Sequence, residues 1–272
     1  MKSLAFILFA LCSMSASSQT YEQTVEQALQ AASSDNLQEA EDLFRKALKM
    51  SPDDYRNSLI FSNIGKIQAI SGKPHEAIRS YTLALNIVPL SVPILKARAD
   101  LYLELGNLSK ALVDYSNIID VDPANIEALQ FRAYIYSQRR QYAEAKIDYE
   151  RLMELSPDNY TALLGMALLK QNMGKKNEAL AQLEILITQY PEKAELYSVR
   201  ADIEAENSQQ ELAIMDLDKA IELEPDNKNY ILARAYLHFE LEHKRQARHD
   251  FERAIELGVP RNSLKAELEK CK

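Results

Sequence analysis

Four arginines and four aspartates recur in this sequence at a constant separation, an arrangement that could form ion pairs or bind an anionic ligand. The pairs, each 16 residues apart, are Arg98 with Asp114, Arg132 with Asp148, Arg200 with Asp216, and Arg234 with Asp250. Three equivalent positions lack both partners: Gln27 with Leu43, Ile64 with Ser80, and Met166 with Gln182. Because the partners are present or absent together, each arginine is predicted to contact the aspartate of its own segment.

Two functions are open to these pairs. The arginines could form a row that binds a ligand, or each pair could join two helices within one segment. The correlated presence of both partners favours the structural ion pair. Pairing between neighbouring segments is excluded, because Arg98 has Ser80 in the aspartate position behind it and Asp148 has Met166 in the arginine position ahead of it.

The other residues with chemical potential do not assemble into a site. Four histidines, His75, His238, His243 and His249, lack the i, i+4 spacing of a helical metal site, so each is interpreted as solvated. Acidic pairs such as Glu222 and Glu224 are typical of solvated helix faces. No glycine-rich phosphate loop occurs. The sequence therefore predicts no catalytic residues, no metal site and no cofactor.

The ion pairs lie in a segment that repeats seven times, mostly with a period of 34 residues. A small residue recurs as Ala40, Ala77, Ala111, Ala145, Ala179, Ala213 and Ala247. Four residues after each alanine comes a large apolar residue: Phe44, Tyr81, Tyr115, Tyr149, Leu183, Leu217 and Phe251. Twelve residues after the first six alanines comes a proline, and five residues before three of them comes a glycine, as in Gly106.

Each recurring residue has a structural reason. Apolar residues spaced three and four apart indicate one buried face of a helix. A glycine can adopt the left-handed conformation that ends a helix, and a proline stops one helix and starts the next. Each repeat is therefore predicted to be a hairpin of two helices, each of about 14 residues.

This pattern resembles the tetratricopeptide repeat family over residues 21–259, nearly the whole predicted mature chain. The resemblance implies an all-α, right-handed superhelical solenoid of about seven hairpins with a C-terminal capping helix. The predicted segments are a signal peptide (1–18), a repeat array (19–259) and a capping helix (260–272). The repeats are predicted at about 21–57, 58–91, 92–125, 126–159, 160–193, 194–227 and 228–259.

The resemblance also implies a concave groove lined by the first helix of each hairpin. The residues at its exposed positions that we predict to bind a partner are Asp100, Tyr134, Leu164, Leu168, Asp202, Tyr236 and Phe239. Apolar residues at solvent-facing positions indicate a binding surface. The alternative is that they extend the core or pack against the capping helix, which applies above all to the seventh repeat.

The N-terminus has the layout of a secretory signal peptide. Lys2 is followed by an apolar run from Leu4 to Leu11 and then by small residues, so cleavage is predicted after Ser18. The alternative is a lipoprotein anchored through Cys12, but Leu11 is larger than the residue expected before a lipidated cysteine. The protein is therefore predicted to be exported, periplasmic or secreted. No other apolar stretch is long enough to span a membrane.

The net charge of the chain limits its possible partners, and its cysteine content limits its possible disulfides. The chain has a net charge of −8, and removing the leader with Lys2 would make it about −9. An acidic chain without a basic stripe is a poor ligand for nucleic acid. One cysteine, Cys271, would remain in the mature chain, which excludes an internal disulfide. A free thiol is favoured over a cross-link between two chains.

Together these observations predict a non-catalytic scaffold of the cell envelope that binds a peptide segment or helix in its groove, and the acidic character of the chain favours a basic partner. One alternative is a structural subunit of an envelope assembly, bound through its ends or its convex face. Another is a small-molecule carrier or an enzyme, for which the sequence offers no residues.

Overall fold

The computed structural model describes residues 16–272. Most of the predicted leader, including Cys12, lies outside the described residues, and residues 16–18 begin the first helix. Every regular element in the described range is a helix, which confirms the all-α fold class. Among these helices, none is long and apolar enough to cross a membrane.

The helices of the described range alternate as the first and second members of seven hairpins. The first helices are α1 (Ala16–Ser33), α3 (Asn57–Ile70), α5 (Val92–Glu104), α7 (Ile126–Gln138), α9 (Tyr160–Asn172), α11 (Ala194–Glu206) and α13 (Lys228–Glu240). The second helices are α2 (Leu37–Met50), α4 (Pro74–Ile87), α6 (Leu108–Val121), α8 (Tyr142–Leu155), α10 (Lys176–Gln189), α12 (Gln210–Leu223) and α14 (Lys244–Glu256). A 3₁₀ turn (Arg261–Leu264) and α15 (Lys265–Lys270) end the chain.

The chain divides into two compact units, with the boundary between Ile135 and Tyr136. In the first unit α1 packs on α2, α3 on α4 and α5 on α6, and α2 contacts α3 as α4 contacts α5. The second unit repeats this order from α8 to α14. Within each unit the hairpins thus stack in chain order, as in a helical solenoid.

The recurring alanines and the large residues that follow them form the core. All seven alanines are completely buried, and so, or nearly so, are the seven large apolar residues four positions later. The small side chain lets two helices approach, and the large one fills the space between them. Among the described glycines the tightest position is Gly165, where an added Cβ would lie 2.4 Å from the Tyr149 ring.

All seven hairpin turns share one backbone conformation, although only three contain glycine. The residue five positions before each alanine has a φ between 57° and 76°: Asp35, Gly72, Gly106, Arg140, Gly174, Ser208 and Glu242. In the third hairpin the Asn107 amide donates to the Tyr102 carbonyl at 2.7 Å, which closes the end of α5. The turn at Asp35, which departs from the glycine pattern in sequence, therefore has the same geometry as the others.

The last thirteen residues cover the seventh hairpin. Leu264, Leu268 and Cys271 pack against a cluster that contains Phe239 and Phe251. Cys271 is a free cysteine with a buried side chain, and this burial raises the pKa of its thiol. A buried, protonated thiol reacts poorly, which is consistent with a free thiol and not with a cross-link.

Candidate functional site

Three of the four predicted arginine–aspartate pairs are present within their hairpins, and we call each an arginine–aspartate clip. In the third hairpin Arg98 Nε and Nη2 each donate to a carboxylate oxygen of Asp114 at 2.8 Å. The sixth hairpin has the same fork between Arg200 and Asp216, both at 2.6 Å, and the seventh has it between Arg234 and Asp250, both at 2.8 Å. The structural interpretation of these three pairs is confirmed.

Two of these arginines also hold the preceding hairpin. Arg98 Nη1 donates to Thr82 Oγ1 on α4 at 3.0 Å, and Arg234 Nη1 donates to Asp218 on α12. Thr82 and Asp218 lie two residues after the aspartate position of their hairpins, so these contacts use a position that the predicted pairing did not include. These guanidinium groups are engaged on both sides, so they do not form a row of free ligand-binding groups.

The fourth predicted pair, Arg132 with Asp148, has one residue in each unit and stays a prediction. Asp148 itself is buried. Its position on α8 matches those of the three clipped aspartates.

In two hairpins without a clip, the residue at the aspartate position of the second helix forms other hydrogen bonds. In the second hairpin Ser80 Oγ donates to Gln68 Oε1 at 2.8 Å, and Gln68 Nε2 donates to Glu41 at 2.9 Å. In the fifth, Lys170 Nζ donates to Gln182 Oε1 at 2.8 Å, and Gln182 Nε2 donates to a backbone carbonyl. The partner lies 12 residues before the second-helix residue instead of 16.

The two predicted binding residues of the first unit differ in how far their side chains are available to a partner. Asp100 is half-buried, and its carboxylate accepts from Tyr115 Oη at 2.6 Å and from Lys96 Nζ at 2.8 Å. Lys96 also reaches Glu127 at 2.9 Å, so Asp100 belongs to a local polar network. Tyr134 has 47% of its surface exposed and is the apolar side chain most open to a partner on α7.

In the second unit the remaining predicted residues lie on α9, α11 and α13, and we call their shared surface the first-helix face. Leu164 and Leu168 are half-buried, and Leu164 also packs against the core. The Asp202 residue as a whole is solvent-exposed, but its carboxyl group is partly desolvated. This desolvation and the neighbouring Glu206 raise the pKa of the carboxyl. α9 and α11 contact each other, and Gln171 Nε2 on α9 donates to Glu206 on α11 at 3.3 Å, so these leucines and the acidic residues of α11 lie on adjacent helices.

The seventh hairpin separates two residues that the sequence treated alike. Tyr236 is 41% exposed, with its ring edge against Phe251. Phe239 is half-buried in the C-terminal cluster, and the Lys270 ammonium lies 5.9 Å from its ring centre. The structure therefore leaves Tyr236 on the first-helix face and covers much of Phe239.

Negative charge is concentrated in the sixth hairpin. Residues 194–227 contain ten acidic and two basic residues, an excess as large as the net charge of the whole chain. Flanking hairpins compensate part of it, because Lys176 binds Glu206 at 3.0 Å and Arg253 binds Asp226 at 3.6 Å. Sequence reasoning treated the acidity as a property of the whole chain and missed this concentration, which a count per repeat would have revealed.

Two histidines that the sequence analysis treated as isolated meet at the seventh turn. His238 Nδ1 and His243 Nδ1 lie 3.4 Å apart, and desolvation lowers the pKa of His238. The turn brings them together although they are five residues apart. Across residues 16–272, no group of three or more histidine, cysteine or acidic side chains is arranged to hold a metal ion.

Helical hairpins stacked in chain order, with small residues at the closest approaches, define the class: an α-helical repeat protein. Two tetratricopeptide repeat profiles match the chain, over residues 136–203 and 194–227. A tetratricopeptide repeat protein from Parabacteroides merdae is 30% identical, with 93% of this chain and 99% of that chain covered and a TM-score of 0.74. The chain belongs to the tetratricopeptide repeat family.

Two further solved structures share the fold at lower identity. YrrB, a tetratricopeptide repeat protein with an unusual peptide-binding site, is 20% identical, with 70% and 97% coverage and a TM-score of 0.55. The MamA protein is 20% identical, with 64% and 96% coverage and a TM-score of 0.56. A sequence comparison with curated proteins gave no match.

Proposed function

We propose that this protein is an exported, non-catalytic scaffold that binds a peptide segment or helix of basic character on its first-helix face. The observation that carries the proposal is the arrangement of α9, α11 and α13. Leu164 and Leu168 offer apolar contact, Asp202 offers negative charge beside them, and Tyr236 adds an exposed aromatic ring.

Such a surface suits a particular kind of partner. Apolar side chains at solvent-facing positions supply affinity when a partner covers them. Carboxylates beside them select a partner with positive charge and accelerate its encounter. The partner would therefore be an amphipathic segment that places basic residues next to one or two large apolar residues.

Family relationships support the same class of function. YrrB, which shares the repeat fold, has a peptide-binding site. Tetratricopeptide repeat proteins generally act as non-catalytic scaffolds, which supports binding as the function of this surface. We therefore propose that this chain binds its partner through the surface of its helices and catalyses no reaction.

The test is selection from a random peptide library displayed on phage, using the mature chain as bait. We expect the selected peptides to be basic and amphipathic. Their affinity for the chain should fall at least about tenfold when Leu168 and Tyr236 are both changed to serine, which corresponds to about 1.4 kcal/mol of binding free energy.

A matched control is available on the second helices. Met215 on α12 is 66% exposed, so Met215→Ser also removes an exposed apolar side chain but leaves the first-helix face intact. Peptide affinity should be unchanged in this variant. Binding that survives the Leu168 and Tyr236 changes, or acidic selected peptides, would contradict the proposal.

A second candidate function has its own observation. Ile147, Ile185 and Met215 are large apolar residues exposed on the second helices of the second unit. They could attach the protein to an envelope assembly as a structural subunit, bound through its second-helix side. In that case the control variant Met215→Ser would lose the partner, and the Leu168 and Tyr236 variant would retain it.

Export is a separate part of the proposal and rests on the N-terminal sequence. The exported chain should begin within a few residues of Gln19 and carry no lipid. Intact-mass spectrometry of the protein recovered from its native envelope or medium measures both. An acylated chain beginning at Cys12, or a chain that retains Met1, would overturn it.

A further inference from the structure

The first hairpin and the C-terminal end of the chain carry opposite charge. Residues 21–57, which include the first hairpin, contain eight acidic and four basic residues. Residues 244–272, from the last helix of the array to the C-terminus, contain eight basic and five acidic residues. The C-terminal end is therefore a basic region in a chain whose net charge is −8.

Three acidic side chains of the first hairpin line one groove, which we call the acidic groove. These are Asp35, Glu39 and Asp42, and the groove is also lined by Leu37, Leu43, Lys46 and Lys73. Other acidic residues of this hairpin are held internally. Glu41 binds Arg45 and Gln68, and Asp54 binds Arg56 at 2.7 Å.

At the other end of the chain lies a groove of opposite character, which we call the basic groove. Arg248, Arg261, Lys265 and Lys272 line it, with Leu268, Glu252 and Glu269. Glu252 is bound by Arg248 at 3.0 Å. Arg261 and Lys265 are both exposed and lie on the segment that covers the last hairpin.

We propose that the acidic groove of one copy of this protein docks on the basic groove of a second copy. Charge complementarity sets the orientation, with Glu39 and Asp42 against Arg261 and Lys265. Leu37, Leu43 and Leu268 supply apolar contact between the charged groups. This contact joins two different surfaces, so it is heterologous and continues from copy to copy into a ring or a filament.

The docking surfaces do not include the first-helix face. Self-association and peptide binding are therefore independent, and either proposal can fail without the other.

The first test is the solution mass of the mature chain, measured by sedimentation equilibrium over a range of concentrations. At low ionic strength the weight-average mass should rise with concentration above that of a monomer. Salt at about 1 M, where the screening length is about 3 Å, should return it to the monomer value. A monomer at every concentration in low salt would overturn the proposal.

The second test exchanges charge between the two grooves. One variant carries Glu39→Lys with Asp42→Lys, and the other carries Arg261→Glu with Lys265→Glu. Each variant alone has two ends of like charge and should remain monomeric. An equimolar mixture should associate again, because every end of one variant then matches an end of the other.

A control variant reverses two exposed charges on a helix outside both grooves. Lys146→Glu with Arg151→Glu changes α8 and should leave the association unchanged. Circular dichroism verifies that every variant keeps its helical content. Association that survives either charge reversal, or a mixture that stays monomeric, would overturn the head-to-tail contact.

Discussion

The third and fifth hairpins have the same backbone arrangement but satisfy their inter-helix polar position in different ways. In the third, the Asp114 side chain is 1% exposed and held by two hydrogen bonds from Arg98. In the fifth, the neutral Gln182 takes the place of the aspartate and is held by Lys170 from one helical turn further along α9. The fifth hairpin thus replaces a buried carboxylate by an amide.

This difference shows that the repeat requires a satisfied polar group at the position and does not require a particular ion pair. A buried carboxylate needs a cation in a fixed geometry, because an unpaired buried charge is costly. An amide carries no charge, so the loss of one of its hydrogen bonds costs less than the loss of the cation beside a buried carboxylate. The clipped hairpins are therefore expected to be far more sensitive to the loss of one partner.

The largest expected effect is at the third hairpin. Arg98→Met, which copies Met166 of the fifth hairpin, should lower the free energy of unfolding by about 3–5 kcal/mol, since Asp114 stays buried without its cation. Urea denaturation measures this. The comparison variant Arg151→Met removes an exposed pair with Glu154 and should cost about 0–1 kcal/mol. Equal losses in the two variants would contradict the role of burial.

The fourth pair extends the comparison to the fourth hairpin. If Arg132 and Asp148 form a clip, the double variant with both changed to alanine should lose less stability than the two single variants together. The coupling expected for residues in contact is about 0.5–3 kcal/mol. Arg132 combined with Asp216, from a different hairpin, should show none. If the stability losses of the Arg132 and Asp148 variants are additive, the fourth hairpin has no clip, like the second and fifth hairpins.

A third prediction concerns packing in the fifth hairpin. Gly165 occupies the place of Ala97 in the third hairpin, and a Cβ there would lie 2.4 Å from the Tyr149 ring. Gly165→Ala should lower the free energy of unfolding by up to about 2 kcal/mol, because overpacking against the buried ring costs about 1–3 kcal/mol and the gain in helix propensity returns about 1 kcal/mol. Thermal unfolding followed by circular dichroism measures it, and a more stable variant would show that Tyr149 moves freely.

The smallest effect is expected at the turns. Arg140 has a φ of 57°, a conformation that costs about 1–2 kcal/mol for a residue with a Cβ. Arg140→Gly should therefore raise the free energy of unfolding by about 0.5–1 kcal/mol after the entropy of glycine in the unfolded chain is offset. Gly106→Ala in the third hairpin should lower it by a similar amount. Chemical denaturation of both variants measures these changes. A loss of stability in Arg140→Gly would show that the backbone at Arg140 is not strained.

The sequence by itself determined the features that recur within one hairpin. The alanines, the large apolar residues and the arginine–aspartate positions keep their spacing because a helix turns every 3.6 residues and two helices meet along one face. Comparison of seven copies was then enough to predict the hairpins and the contact partners of Arg98, Arg200 and Arg234.

Only the tertiary structure decided the contacts whose residues do not recur. Thr82 and Asp218 accept a hydrogen bond from the arginine of the next hairpin. In the fifth hairpin, which has no clip, Lys170 donates to Gln182 instead. These contacts depend on the length and position of the individual side chains. Four turns adopt a positive φ without glycine, since packing of two long helices outweighs about 1–2 kcal/mol of local strain. Phe239 is covered while Tyr236 is open because the C-terminal segment folds back on the last hairpin, and repeat spacing carries no information about that return.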